Sequence, residues 1–234
     1  MTGQRGVALI MVVLVTAFLS ALGLGLVLAV FMDRLATGNM ASSVAMLYAA
    51  ESAIEITARD LAQIADWDVV LSGAQSSSFT DGAAGGVRDL ADGGAVDLTS
   101  TTNMLNCGRS ANCTIAQMNA NSKERPWGAN NPRWRLFAYG PMRQFTQLAR
   151  PAPCYLALWV ADDGREQDGD PLADEADEGE RGHGIVRVHA EAFGLAGSRR
   201  AIEAELLRIC PAGKDACLPG IRVQSWQELR HVIP

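Results

Sequence analysis

Hydrophobic positions fall into three regimes along this chain. The first is continuous: Val7 to Met32 holds 26 uncharged residues, mostly Val, Leu, Ala, Ile, Met and Phe, behind the polar leader Met-Thr-Gly-Gln-Arg-Gly. As a helix the run would be about 39 Å long, enough to cross a hydrocarbon core of about 30 Å with some tilt. A lone span in lipid must be helical, because its backbone groups find no other partners there. Arg5 precedes the span and Asp33-Arg34 follows it. A basic residue before the span favours a cytoplasmic N-terminus, which places the rest of the chain outside the cytoplasm.

The second regime is helical in period. From Asp33 to about Trp67, Met40, Val44, Leu47, Ile54 and Leu61 recur at spacings of 4, 3, 7 and 7, one stripe of a helix. Glu55 and Arg59 stand four apart in the favourable order. Gly38-Asn39 is the expected weak point, since Gly costs about 1 kcal/mol against Ala in a helix.

The third regime alternates. Trp134 to Tyr139 reads as a strand stopped by Gly140-Pro141, and Cys154 to Ala161 as a strand apolar on both faces, hence central. Gly184 to Phe193 alternates, with Val186, Val188, Ala190 and Ala192 opposite Arg187, His189 and Glu191. Gly194 to Ser198 is a hairpin loop, and Arg199 to Ile209 alternates again. A short helix is expected around Trp226 to Leu229. Between the helical and alternating regimes lies a loop region, 68–133, in which Ser72 to Thr102 is rich in Ser, Thr and Gly and reads as loop. Within it, a short strand near Ala95 to Leu98 and a short helix over Thr114 to Asn121 are expected. The fold class that follows is α+β: a long N-terminal helix, then an antiparallel sheet of about four strands over 134–234.

At 234 residues and 48% apolar content there is room for one membrane helix and one modest domain. Two other readings of the first regime stay open. A cleaved secretory signal would have an apolar core of only about 7 to 15 residues, and the run continues nine residues past the small-residue site Ala21-Leu22-Gly23. A plain signal anchor would hold an unrelated extracytoplasmic binding module.

The net charge of −6 is concentrated: 162–180 carries ten acids and one base, Arg165. No basic stripe interleaved with aromatics is present, so nucleic acid is not an expected partner. The acids cluster in a Gly-containing loop without an apolar pocket to raise a pKa, so a solvated loop is expected there. A calcium site is the alternative, with Asp168, Asp170, Asp174 and Asp177 as oxygen ligands and Asp162 or Asp163 as substitutes. The spacing does not match an EF-hand. No other cofactor is implied. Nucleophile elbow, Walker loop, His-Glu-x-x-His and Cys-x-x-Cys are all missing, and the histidines number three, His183, His189 and His231. The chain is therefore read as a structural subunit, not an enzyme, with His189 on the exposed or half-buried face of its strand.

Five cysteines fit an oxidising compartment. Cys107 with Cys113, and Cys210 with Cys217, would each close a short loop. Cys154 is left odd, and pairing of Cys154 with Cys210 is open.

Gln4-Arg5-Gly6 followed by Val7-Ala8-Leu9-Ile10 resembles the class III signal of type IV prepilins and type II secretion pseudopilins. Tyr48-Ala-Ala-Glu-Ser-Ala-Ile-Glu55 is similar to the helix segment of the minor pilins called PilX-like. The resemblance covers about the first 65 residues. It implies a pilin-like fold with a leader over 1–6, a membrane and filament-core helix over 7–32, an amphipathic spine over 33–67, a variable region over 68–133 and a sheet domain over 134–234. It further implies cleavage between Gly6 and Val7 by a prepilin peptidase, N-methylation of Val7, an inner-membrane assembly platform, and major and minor pilins as partners. The subunit would sit in the inner membrane, its C-terminal domain periplasmic, before moving to the pilus at the cell surface. The fifth mature position, where most major pilins carry glutamate, is Met11, a departure that points to a low-copy, tip-proximal or initiating subunit. A capping minor pseudopilin of a type II secretion system shares this leader. Such caps carry a large inserted helical domain, for which little chain remains.

Overall fold

The computed structural model describes residues 4–121, 128–145, 153–166, 169–174, 184–209 and 220–229. In chain order the elements are α1 (Gln4–Gln63), α2 (Asp68–Leu71), β1 (Val87–Asp89), β2 (Ala95–Asp97), α3 (Leu98–Cys107), α4 (Ile115–Ala120), β3 (Arg135–Pro141), α5 (Met142–Phe145), β4 (Tyr155–Asp162), β5 (Ile185–Phe193), β6 (Arg199–Arg208) and β7 (Ile221–Leu229). The architecture is α+β, and the chain divides into two compact units, Met1–Ser42 and Ser43–Pro234.

In the first unit α1 is exposed at every position from Gly6 onward to Ala41. It runs unbroken through Gly38-Asn39, so the expected loosening there does not occur. One Gly costs only about 1 kcal/mol, less than the cooperative cost of ending and restarting a helix.

The second unit is built on an antiparallel meander, β3-β4-β5-β6-β7. The pairings β4–β5 and β5–β6 are regular from Tyr155↔Phe193 through Asp162↔Val186 and from Ile185↔Leu207 through Phe193↔Arg199. The central placement expected for β4 is found, and all eight of its residues are buried. Leu156, Leu158 and Val160 point to one face with Val186, Val188, Ala190, Ile202 and Leu206. Each large aliphatic side chain removed from water there contributes about 1.5–3 kcal/mol.

That face is covered by the last third of α1, through Met46, Ala49, Ala50, Ala53, Ile54 and Leu61. The buried stripe matches the expected one at Ile54 and Leu61, with Leu47 packed against it, but not at its N-terminal end. Met40 is 71% exposed and Val44 39%, while the alanines are buried. There the large residues marked the wrong meridian because a helix lies closest to a sheet along its small side chains. Glu55 and Arg59 are exposed and make no ion pair among the described residues. Arg200 of β6 donates from Nε to Ser43 Oγ at 2.8 Å, and Arg208 donates to the Ala65 carbonyl at 2.7 Å, its guanidinium 4.1 Å over the Trp67 ring.

The segment 68–133 is not plain loop. The strand expected near Ala95 is β2, paired with β1 in a two-stranded hairpin, and the expected helix over 114–121 is α4, with Thr114 and Gln117 forming a capping box. The Ser/Thr run instead holds α3, capped by Asp97, which accepts from Thr99 N and Ser100 N. Val96 and Leu98 cover the second face of the sheet, against Tyr139, Tyr155, Trp159 and Phe193. Arg88 draws the Gly-rich stretch together: it pairs with Asp81 at 2.9 Å and donates to the Gly85 and Ala83 carbonyls. Tyr139 Oη donates to Gly82 O at 2.6 Å. Residues 77–80 line the outer edge of β3, with Ser77 N donating to Phe137 O and Tyr139 N to Phe79 O.

The sheet has five strands, not about four, and the helix expected around Trp226 is the end of strand β7. Its register with β6 shifts between Glu205 and Leu206, where Ser225 and Val223 are the partners. Gln224 is thus an extra residue, a bulge. It places Val223 and Trp226 on the same face at a spacing of three, which mimics a helical period.

Candidate functional site

The residues implied in processing lie on the exposed part of α1. Gly6 is helical, and an added Cβ there would meet no atom within 4 Å. Val7 is 55% exposed and Met11 63%. Gly6 lies one turn or more from Met11 on a surface otherwise made of aliphatic side chains, and α1 is long and apolar enough to cross a membrane. No acid stands in the first turn of α1, so the helix offers no carboxylate near Val7 from its own chain.

Cys107 and Cys113 form a disulfide, with Cα atoms 5.9 Å apart, as the spacing predicted. The bond ties the C-terminus of α3 to the loop before α4. Gly108 ends α3 in the left-handed conformation at φ 69°, which a side chain would disfavour. Cys154 is a buried thiol, and burial pushes it up to about 11. Cys210 and Cys217 lie outside the described residues.

The start of the acidic segment differs from the solvated loop expected, whereas Asp170 is exposed as expected, and Asp168 and 175–180 lie outside the described residues. Asp162, Asp163 and Glu166 are all buried, at 2%, 3% and 1% exposure. Asp163 is met by Arg165 Nε at 2.9 Å, and Arg165 reaches on to Glu205 at 2.9 Å. Asp162 Oδ1 has no hydrogen-bond partner among the described residues. Burial, and then the neighbouring Glu166 carboxyl, push Asp162 up to about 9. The reason is placement: Asp162 ends β4 beside Val186 on the face that α1 covers, and Asp163 and Glu166 stay buried just beyond the strand.

Of the four calcium ligands considered, Asp168 and Asp177 lie outside the described residues. Asp170 accepts from Leu172 N at 3.1 Å, and Asp174 accepts from Gly184 N at 2.6 Å while its own N donates to Asp68. Among the described residues no three His, Cys, Asp or Glu side chains gather as a metal would require.

The polar face of the β5–β6 hairpin holds a network that the alternation alone did not place. His189 is buried at 2% exposure, not half-exposed. Its Nε2 lies 2.9 Å from Glu191 and its Nδ1 3.1 Å from Glu203. Arg199 and Arg187 close the ends on Glu191 and Glu203. The ring sits edge-on to both Trp134 and Trp159, at 5.7 Å each. Burial alone would lower the imidazole, but the two carboxylates outweigh it and raise it to about 9. Although burial pushes Glu203 up, the hydrogen bond from His189 holds it below the usual range. The signal was present in the cross-strand partners, Arg187↔Glu205 and His189↔Glu203. An ion network of this kind fixes register and orientation.

No family model, no curated protein and no solved structure matches this chain.

Proposed function

We propose that this chain is a PilX-like minor pilin, a low-copy assembly subunit of a type IV pilus. It is made as an inner-membrane protein with a cytoplasmic N-terminus, cut between Gly6 and Val7, methylated on Val7 and carried into the filament by its apolar helix. The sheet unit is then displayed at the surface, in a tip-proximal or initiating position.

The observation that carries this reading is the bare, uncharged helical surface from Val7 to Met32, directly behind Gln4-Arg5-Gly6. A surface of that size needs lipid before assembly and neighbouring apolar helices afterwards. The alanine face of α1 seated on an antiparallel sheet supports the same reading. The experiment is to shear pili from cells expressing the chain and probe the sheared fraction for it. Presence in wild-type filaments, and loss when Gly6 is replaced by Glu, is expected. A chain that stays wholly in the membrane fraction of piliated cells contradicts the proposal.

A further inference from the structure

We propose that the cavity beside Arg133 binds an organic carboxylate carrying a small apolar body. The cavity is about 420 Å³ and lies between α4, the start of β3 and residues 169–172. That size is within the range of sites for small ligands.

Arg133 is buried, at 8% exposure, yet no carboxylate pairs with it among the described residues. Its Nη1 donates to Asn131 O at 3.0 Å and its Nη2 to Asn119 Oδ1. A guanidinium carries five N–H donors, so three remain without an acceptor among the described residues. The charge is also unopposed: burial, and then the nearby Arg135, both lower Arg133 from its ordinary value. Burying a cation without a counter-charge is costly, and one carboxylate on the open fork would offset that cost with two charge-assisted bonds. Arg135 lines the same cavity and adds to the positive field.

The remaining wall is mainly apolar, with Ile115, Met118, Trp134, Pro171 and Leu172, and its polar side chains are Asn106 and Asn119. Ile115, which lines the cavity, is 71% exposed. The geometry is also held firmly. Asn106 clamps Trp134 through both backbone groups, accepting from its N at 2.8 Å and donating to its O at 3.0 Å. Asn131 Nδ2 donates to the Met118 and Asn119 carbonyls, which fixes the end of α4 against the Arg133 segment. A preformed guanidinium lining a mainly apolar cavity selects an anion with a hydrophobic side over a bare inorganic one. This inference is independent of the pilin reading, since it needs only the second unit.

The test is calorimetric titration of the full chain in a nonionic detergent, with micelles alone as the blank. The probes are 3-phenylpropionate, its neutral amide and inorganic phosphate. Saturable 1:1 binding of phenylpropionate is expected, with the amide and phosphate each weaker by about tenfold or more. Arg133→Gln should cause a comparable loss. Because that residue is buried, two surface variants stand beside it: Arg135→Gln should weaken binding about threefold, and Leu172→Asp should abolish it. Equal binding of acid and amide, phosphate binding as tightly as the aryl acid, or no saturable binding at all would each overturn the proposal. So would unchanged affinity in Arg135→Gln and Leu172→Asp.

Discussion

His189 and Glu191 stand two residues apart on β5, and the imidazole Nε2 reaches the Glu191 carboxylate at 2.9 Å inside a layer where neither side chain touches solvent. Adjacent residues of one face of a strand thus form a buried ion pair, completed across the hairpin by Glu203. The folded imidazole holds its proton up to about pH 9, against an ordinary value of 6.5. The pair therefore contributes its full stability below pH 6.5 and loses it as pH rises through about 9. Thermal unfolding of the full chain in detergent should show a midpoint that falls over that window. His189→Gln should flatten the fall. Glu191→Ala, which leaves the buried imidazole with Glu203 as its one carboxylate partner, should cost about 2–3 kcal/mol at neutral pH.

Asp162 leads to a second prediction with the same sign. Its folded value is raised from 3.8 to about 9, by burial first and by Glu166 second. The stabilising effect of its proton is complete below the unfolded value and is lost as pH rises toward the folded one. Asp162→Asn, which cannot ionise, should raise the unfolding midpoint at pH 8 by more than at pH 5. An equal effect at both would show that the carboxyl is not held protonated.

The cysteines give a chemical prediction. Opening the Cys107–Cys113 loop by replacing both with Ser should cost about 2 kcal/mol, a small loop-closure effect, while leaving the β5–β6 hairpin intact. Cys154 should resist alkylation in the native chain and react on unfolding, because its thiol is both buried and held neutral. Mass mapping after alkylation with and without denaturant measures both.

Much of the fold was legible where one physical signal dominated. Strands β4, β5 and β6 were readable because their alternation, or its absence in β4, reports burial directly. Cys107 and Cys113 were readable because a short loop closes readily. Strand β7 was hidden by the bulge at Gln224, which turned a period of two into an apparent three. The buried stripe of α1 was read correctly at Ile54 and Leu61 but not at Met40 and Val44, because Ala49, Ala50 and Ala53 also pack on the sheet, and their small size is why they were passed over. Helix α3 sits in a Ser/Thr run whose composition argued for loop, although Asp97 before Leu98-Thr99-Ser100 is a capping signal. The burial of Asp162 and His189 depends on packing partners far along the chain: Asp162 shares its face with Val186, on the side that α1 covers, and His189 sits edge-on to Trp134 and Trp159. No local pattern in β4 or β5 encodes a cover that comes from elsewhere in the chain. The Arg133 cavity was missed for the same reason, though two arginines flanking Trp134 beside a strand mark the place.

Met11 gives a prediction about assembly that follows from the proposed function. It stands where a filament-core carboxylate would offset the desolvation of a neighbouring subunit's N-terminal ammonium, and a thioether cannot do so. The chain should join filaments sparsely and should not polymerise alone. Overexpression without a major pilin, followed by imaging of the sheared fraction, should show no filaments. Met11→Glu is the informative variant, because gain of continuous incorporation would trace the limit to that one side chain.

The central claim is that the helix from Val7 onward is a mature N-terminus made for lipid and then for a filament. N-terminal sequencing of the chain extracted from membranes tests it most directly. We expect a start at Val7 carrying an N-methyl group, and a shift to the uncut chain in Gly6→Glu. A start at Met1 in the wild type would reduce the helix to a plain anchor and contradict the claim.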